Sequence, residues 1–206
     1  GLVHSLLVIR HGKLVFEKYW DGHLPPWEPT YEEGYAPISF DARTPHDMAS
    51  ITKSLTSTLF GIGLEQGLIG SVHDPVSDYL PDEAIYQRPS VRAMKLRDLL
   101  TMKAGFAYDN SLYALNDSRN DLYKLYEAYE LEDGDPLREV FSKPVIHAPG
   151  TVYEYGGNQT NTLALILEER SGMLLHEYAE EHLLGPLGIE STRWYVQPGG
   201  TVGSGD

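Results

Sequence analysis

The 206-residue chain contains no cysteine. That absence removes disulfides, thiolate metal sites and thiol nucleophiles together, while leaving the compartment open, since exported bacterial enzymes also do without cysteine. Long apolar runs are missing too. The longest, such as Leu163 to Leu167, fall far short of the ~20 residues a membrane-spanning helix needs, and no signal-peptide pattern is present, so the chain reads as soluble. Positive charge is scarce: 16 Lys and Arg stand against 30 Asp and Glu, a formal net charge of −14. With no basic cluster to offset it, that balance argues against nucleic acid or an anionic membrane as partner. There is no internal repeat and no low-complexity block. The first residue is Gly rather than Met, and Gly199-Gly-Thr-Val-Gly-Ser-Gly-Asp206 reads as a flexible tail, so both ends look cut.

What is present suffices for a core: 41% of the residues are hydrophobic, in a length that fits one domain or most of a larger one. Two β-prone runs, Ser5 to Arg10 and Lys13 to Trp20, flank His11-Gly12 and predict an opening hairpin over residues 4–20. Residues 21–46 lack periodicity and predict a long loop. Met48, Ile51, Leu55, Leu59 and Ile62 recur at helical spacing, predicting a buried helix over about 48–66 with Gly67 as its stop. Beyond an irregular turn at Asp74 to Pro81, the spacing predicts a mostly helical region over 92–188. Its helices fall at Met94 to Met102, Asn120 to Tyr129, Pro136 to Phe141, Asn161 to Arg170 and Leu174 to Leu184. The class is α+β. A lone hairpin is marginal in water, so the antiparallel sheet is incomplete in this chain, and further strands must come from elsewhere.

The chemistry concentrates at Met48-Ala-Ser-Ile-Thr-Lys53. Residues three apart share a helix face, so the Lys53 ammonium can approach the Ser50 hydroxyl. A lysine can serve as base for a serine when burial or nearby positive charge lowers its proton affinity, and Ile51, Leu55 and Leu59 supply apolar flanks. The start of a helix, with its unpaired N–H groups, also favours a developing negative charge. The same spacing fits a helix-capping serine followed by a solvated lysine. With 14 serines and 7 lysines in the chain, roughly 0.5 such pairs arise by chance, so the spacing alone does not choose.

The surrounding segments do. Leu7-Val-Ile-Arg-His-Gly-Lys-Leu-Val-Phe-Glu17, Met48 to Lys53, Asp74-Pro-Val-Ser-Asp-Tyr-Leu-Pro81, Leu96-Arg-Asp-Leu-Leu-Thr-Met-Lys-Ala-Gly105 and Gly185-Pro-Leu-Gly-Ile189 follow one another in a distinctive order. That order resembles the serine β-lactamase and penicillin-binding-protein superfamily, especially its class C-like branch of esterases and 6-aminohexanoate-dimer hydrolases. The resemblance implies a β-lactamase/DD-peptidase-like fold, an antiparallel sheet flanked by helices, with Ser50 as nucleophile and Lys53 as its proton-transfer partner. The family's second motif, Tyr-x-Asn, matches Pro149-Gly-Thr-Val-Tyr-Glu-Tyr-Gly-Gly-Asn158. Counting back from Glu168 places its tyrosine on Tyr155, with Tyr153 as rival, and puts Gly157 where asparagine is usual and Asn158 one place later. Tyr155 then shuttles protons, while Asn158 and Gly157 face the substrate.

The family's third motif, Lys-Thr-Gly or His-x-Gly on a strand, has no match, since Lys103-Ala-Gly105 follows a helix. The resemblance therefore implies that residues 1–206 are the N-terminal portion of a single domain, whose missing C-terminal part would complete the site. The implied activity is hydrolysis of an ester, amide or lactam through an acyl-enzyme, without a cofactor. β-Lactamase, D-amino-acid peptidase and a penicillin-recognising sensor that does not turn over are the alternatives. His176 and Glu180 share a helix face, but the zinc-protease pattern needs histidine where Glu180 stands, so no metal is assigned and a solvated acidic face is expected. The crowd of Tyr108, Tyr113, Tyr123, Tyr126 and Tyr129 reads as packing, with an acyl or aryl pocket as the alternative. Glu132, Asp133 and Asp135 predict a solvated loop.

Overall fold

The computed structural model describes residues 3–23, 37–46, 48–108, 113–114, 117–190 and 192–201. They fall into two compact units, Gly1–Asp47 and Met48–Asp206. The first holds the hairpin: β1 (Ser5–Arg10) pairs antiparallel with β2 (Lys13–Tyr19), with a register shift between Val8 and Ile9. His11 and Gly12 both take positive φ, 51° and 71°, as a two-residue hairpin turn requires. Apolar side chains on both faces of this ribbon, among them Leu6, Leu7, Val15 and Phe16, are exposed. The segment expected to be loop contains a second small ribbon, β3 (Asp21–Gly22) with β4 (Ile38–Ser39); its residues 24–36 lie outside the described ones.

The second unit is built on two helices. α1 (Thr52–Glu65) and α6 (Gly157–Ser171) pack side by side, and Gly63 lets them approach closely, since a Cβ there would lie 2.8 Å from Leu167 Cδ1. Because Ser50 meets Tyr155 just before the two helices begin and Gly63 meets Leu167 well along both, α1 and α6 run parallel. Leu59, Ala164 and Leu167 form one buried cluster with Leu175, Tyr178, Ala179 and Leu184. The other face of the pair joins a larger cluster, in which Phe60, Leu163 and Ile166 meet Leu99, Leu125, Tyr129 and Phe141. Each buried Leu, Ile or Phe among them contributes about 1.5–3 kcal/mol relative to exposure.

Shorter helices wall this core: α2 (Pro89–Arg92), α3 (Leu96–Leu100), α4 (Asp121–Glu130), α5 (Pro136–Ser142) and α7 (Leu175–Ala179), which runs on as a wider turn over Glu180–Leu184. Asn120 and Asp135 cap α4 and α5, accepting backbone N–H bonds from Leu122 and Arg138, each worth about 1 kcal/mol. Asp135 thus has a structural role within the acidic loop, where Glu132 and Asp133 are exposed. Asp74 to Pro81 includes a 3-10 turn over Val76–Tyr79.

Three expectations need correction. Met48 and Ile51 are exposed, and the buried stripe of α1 is instead Thr52, Lys53, Thr56, Leu59, Phe60 and Gly63. The apolar spacing marked Leu59 correctly but misplaced the start of the buried stripe, because polar residues occupy the buried first turn. α6 begins at Gly157 rather than near Asn161: polar Asn158, Gln159 and Thr160, which carry no apolar signal, are nonetheless buried in its first turn. Gly199 to Thr201, expected to be flexible, are structured: β5 (Val196–Gln197) pairs with β6 (Gly200–Thr201), and the Thr201 N–H donates to Glu168 Oε1 at 3.0 Å. Residues 202–206 of that tail lie outside the described ones.

Candidate active site

Ser50 sits in a 3-10 turn, Ala49–Ile51, that leads directly into α1. The turn is tight: Ile51 N–H donates to Met48 O at 2.9 Å, and Ala49 is held at φ +39°, in the left-handed region that a side chain disfavours. Neither the turn nor α1 is capped by a side chain, and the positions that would do so are Met48 and Ile51. Ser50 therefore does not serve as a helix cap. Its Oγ accepts hydrogen bonds from Lys53 Nζ at 3.0 Å and from the Tyr155 hydroxyl at 2.7 Å. The third edge of the triangle closes as well, with Lys53 Nζ 5.1 Å from the centre of the Tyr155 ring.

The three groups differ in their access to water. Ser50 is exposed, whereas Lys53 is only 9% exposed and comes up from beneath it within α1. Tyr155 is 45% exposed and stands in the segment leading into α6. The Ser50 hydroxyl is thus open to solvent on one side and met from the protein side by an amine and a phenol, two groups that can each hold or release a proton. Since α1 and α6 run parallel, both N-termini point towards this triangle, and their dipoles favour negative charge there. Tyr153, the rival tyrosine, is 62% exposed, and the bond to Ser50 comes from Tyr155.

Gly157 and Asn158 are the first two residues of α6, both buried. Asn158 is 1% exposed, and neither its Oδ1 nor its Nδ2 has a hydrogen-bond partner among the described residues. A Cβ on the preceding Gly156 would overlap Asn158 Oδ1 and would lie 3.1 Å from Tyr108 Cδ1. Of the tyrosine-rich region, then, Tyr108 stands against the chain beside Tyr155. Tyr129 is buried in the core, Tyr126 packs against that core, and Tyr113 stacks on Arg119.

Further along α6 the carboxylate of Glu168 accepts from Leu175 N–H at 2.6 Å as well as from Thr201 N–H. Burial pushes its pKa above the ordinary carboxylate range, against the lowering effect of those bonds and of His176. His176 itself bonds Thr201 Oγ1 through Nδ1 at 3.1 Å, while Glu177, Glu180 and Glu181 are exposed. Among the described residues no group of three or more His, Asp or Glu could hold a metal ion, and no helix is long and apolar enough to cross a membrane. Lys103 to Gly105 lies in the turn after α3, outside any named strand. Sequence reading passed over Gln159, whose amide reaches backbone groups on two other segments; its partner Ala104 is 55 residues away, so no local spacing could single it out.

Comparison with known proteins bears on the family and the fold. The family model "Beta-lactamase" matches residues 3–203. The chain is 27% identical over 161 residues to lovastatin esterase of Penicillium rubens, covering 72% of this chain and 39% of that protein. It is likewise 27% identical over 180 residues to the ML-236A carboxylate methylbutanoyltransferase of Penicillium citrinum, covering 78% of this chain and 40% of that one. Among solved structures, EstCE1, described as a hydrolase with promiscuous acyltransferase activity, superposes with a TM-score of 0.66 at 22% identity, covering 93% of this chain and 48% of that one. The chain thus spans less than half the length of these proteins. With the family model matched along nearly its whole length and the fold shared, the chain belongs to the beta-lactamase family of serine hydrolases.

Proposed function

We propose that this chain carries the acylation machinery of a carboxylesterase or amide hydrolase, with Ser50 as nucleophile and Lys53 and Tyr155 as its proton-transfer pair. The observation that carries the reading is the convergence of Lys53 Nζ and the Tyr155 hydroxyl on Ser50 Oγ. In the forward step Ser50 Oγ bonds to the carbonyl carbon, and its proton passes to the Lys53–Tyr155 pair. The bond to the leaving alkoxide or amine then breaks, and the pair returns the proton to that leaving group. Water repeats the sequence on the acyl-enzyme and restores the Ser50 hydroxyl. The N-termini of α1 and α6 stabilise the negative charge that develops on the way. In this reading Gly157 and Asn158, the first two residues of α6, orient the substrate, the Asn158 amide having no hydrogen-bond partner for Oδ1 or Nδ2 among the described residues.

Ester and amide substrates are favoured over lactams by the names of the relatives, an esterase and an acyltransferase, and by Gly157 standing in the usual place of asparagine. A fluorophosphonate probe tests the assignment in the full-length protein. The expected result is stoichiometric labelling of Ser50, with ester hydrolysis that disappears in Ser50→Ala. A protein whose Ser50 is never labelled, and whose Ser50→Ala form keeps its esterase activity, would overturn the reading. Acylation without turnover would move it to the sensor alternative, and rapid turnover of a chromogenic cephalosporin would move it to β-lactamase.

A further inference from the structure

Tyr155 is half exposed, and among the described residues its hydroxyl makes one side-chain hydrogen bond, to Ser50, so the segment that carries it must be fixed through its backbone. The preceding residue is held on both sides. Glu154 N–H donates to Met102 O at 2.8 Å, and Glu154 O accepts from Gln159 Nε2 at 2.8 Å. The other end of the same amide, Gln159 Oε1, accepts from Ala104 N–H at 3.0 Å. Gln159 is 3% exposed and lies in the first turn of α6, so its side chain ties three segments together: the helix, the turn after α3, and the strand of chain that presents Tyr155. A further bond, Gly150 N–H to Lys103 O at 2.8 Å, secures the same two loops to each other.

We propose that Gln159 is a positioning residue for Tyr155, setting the approach of its hydroxyl to Ser50. The proposal rests on the assignment of Tyr155 to proton transfer. One end of the clamp must accept and the other must donate, since it joins an N–H to a carbonyl, and a primary amide is the side chain that does both. Those two backbone partners also fix which end is oxygen and which is nitrogen. Glutamate at the position would keep the bond to Ala104 and lose the one to Glu154; methionine would keep the volume and lose both. Proton transfer is sensitive to small displacements, so slack at residue 154 passes directly to the tyrosine beside it.

The experiment is a double-mutant comparison in the full-length protein, reading the rate of Ser50 labelling by a fluorophosphonate. Gln159→Met is expected to slow labelling by about 10- to 100-fold, and to add nothing further when Tyr155 is already phenylalanine, because a residue that acts through the tyrosine hydroxyl has nothing left to align. If Gln159→Met labels at the wild-type rate, or slows the Tyr155→Phe background by the same factor as it slows wild type, Gln159 acts only on the fold and the proposal fails. Should Gln159→Met not fold, Gln159→Glu carries the same two expectations through loss of the Glu154 bond alone. A wild-type Ser50 that is never labelled removes the hydrolase reading and this proposal with it, whereas a labelled wild type with additive variants removes this proposal alone.

Discussion

Ser50 and Lys53 stand three residues apart at the start of α1, while Tyr155 reaches the same oxygen from 105 residues further along, at the start of α6. The first pair is held by its own helix: once α1 forms, the spacing brings the lysine nitrogen to the serine oxygen, and burial of Lys53 within the unit leaves it little freedom. The tyrosine is held by tertiary bonds alone, through Glu154, Met102, Gln159 and Ala104. Half of this site is therefore a property of one helix turn, and the other half is a property of how three loops and two helices pack. Damage to the first half should be chemical and abrupt, and damage to the second graded and sensitive to the scaffold.

The largest effect is expected at Lys53. Lys53→Met keeps the aliphatic bulk in the buried first turn but removes the nitrogen, and should slow Ser50 acylation by about 10³- to 10⁴-fold, the upper range for a proton-transfer group. The midpoint of thermal unfolding should move little, and a fluorophosphonate time course beside a melting curve checks both. Tyr155→Phe removes only the hydroxyl and should slow acylation by about 10²-fold, whereas Tyr153→Phe should stay within about twofold of wild type. Equal losses for the two tyrosines in the same labelling assay would break the division between the halves, since Tyr153 makes no such bond to Ser50 in the fold.

How far each half could be read in advance follows the same division. Spacing made the Ser50–Lys53 contact possible, because a helix brings residues three apart together, but only the surrounding segments chose it over a capping serine with a solvated lysine. Even so, the apolar pattern that predicted the helix misplaced the start of its buried stripe, since Thr52, Lys53 and Thr56 fill the inner positions that Met48 and Ile51 were expected to share. Tyr155 was legible only through the order of family-like segments. Nothing in Pro149 to Asn158 by itself separates it from Tyr153, and the polar run that opens α6 conceals the helix start. Gln159 was invisible, because a buried amide whose partners are backbone groups on remote loops leaves no trace in periodicity or composition.

Gly156 sharpens the comparison from the scaffold side. No positive φ requires a glycine there, yet an added methyl would overlap Asn158 Oδ1 and crowd the Tyr108 ring. Gly156→Ala should therefore cost about 1–3 kcal/mol of stability through overpacking, read from urea denaturation. It should also slow acylation, since Tyr155 is its neighbour in the chain. The matching change in the first half, Ala49→Gly, relaxes the φ +39° of the residue before Ser50 and should raise stability by about 1 kcal/mol. Scaffold changes flanking Ser50 and Tyr155 would thus have opposite signs in the same titration.

The smallest effect separates two clamps on one helix. Gln159 near the start of α6 and Glu168 near its end each tie remote backbone to the helix, but one is neutral and the other titrates. The Glu168 pKa is raised chiefly by desolvation, with the Leu175 and Thr201 bonds and the charge of His176 pulling the other way. A carboxyl whose folded pKa lies above its unfolded value contributes stability that is fully present below the unfolded value, and that contribution is lost as pH rises through the folded one. Relative to Glu168→Gln, which keeps an acceptor oxygen for Leu175 and Thr201, the wild type should therefore be at its best below the ordinary glutamate value of 4.5 and lose ground as pH rises past it. The amide clamp predicts no such slope: Gln159→Met should lower the melting temperature by an amount that does not change with pH. Melting curves of the three proteins from pH 4 to pH 8 test this, and parallel pH profiles for wild type and Glu168→Gln would mean that Glu168 keeps its unfolded proton affinity within the fold.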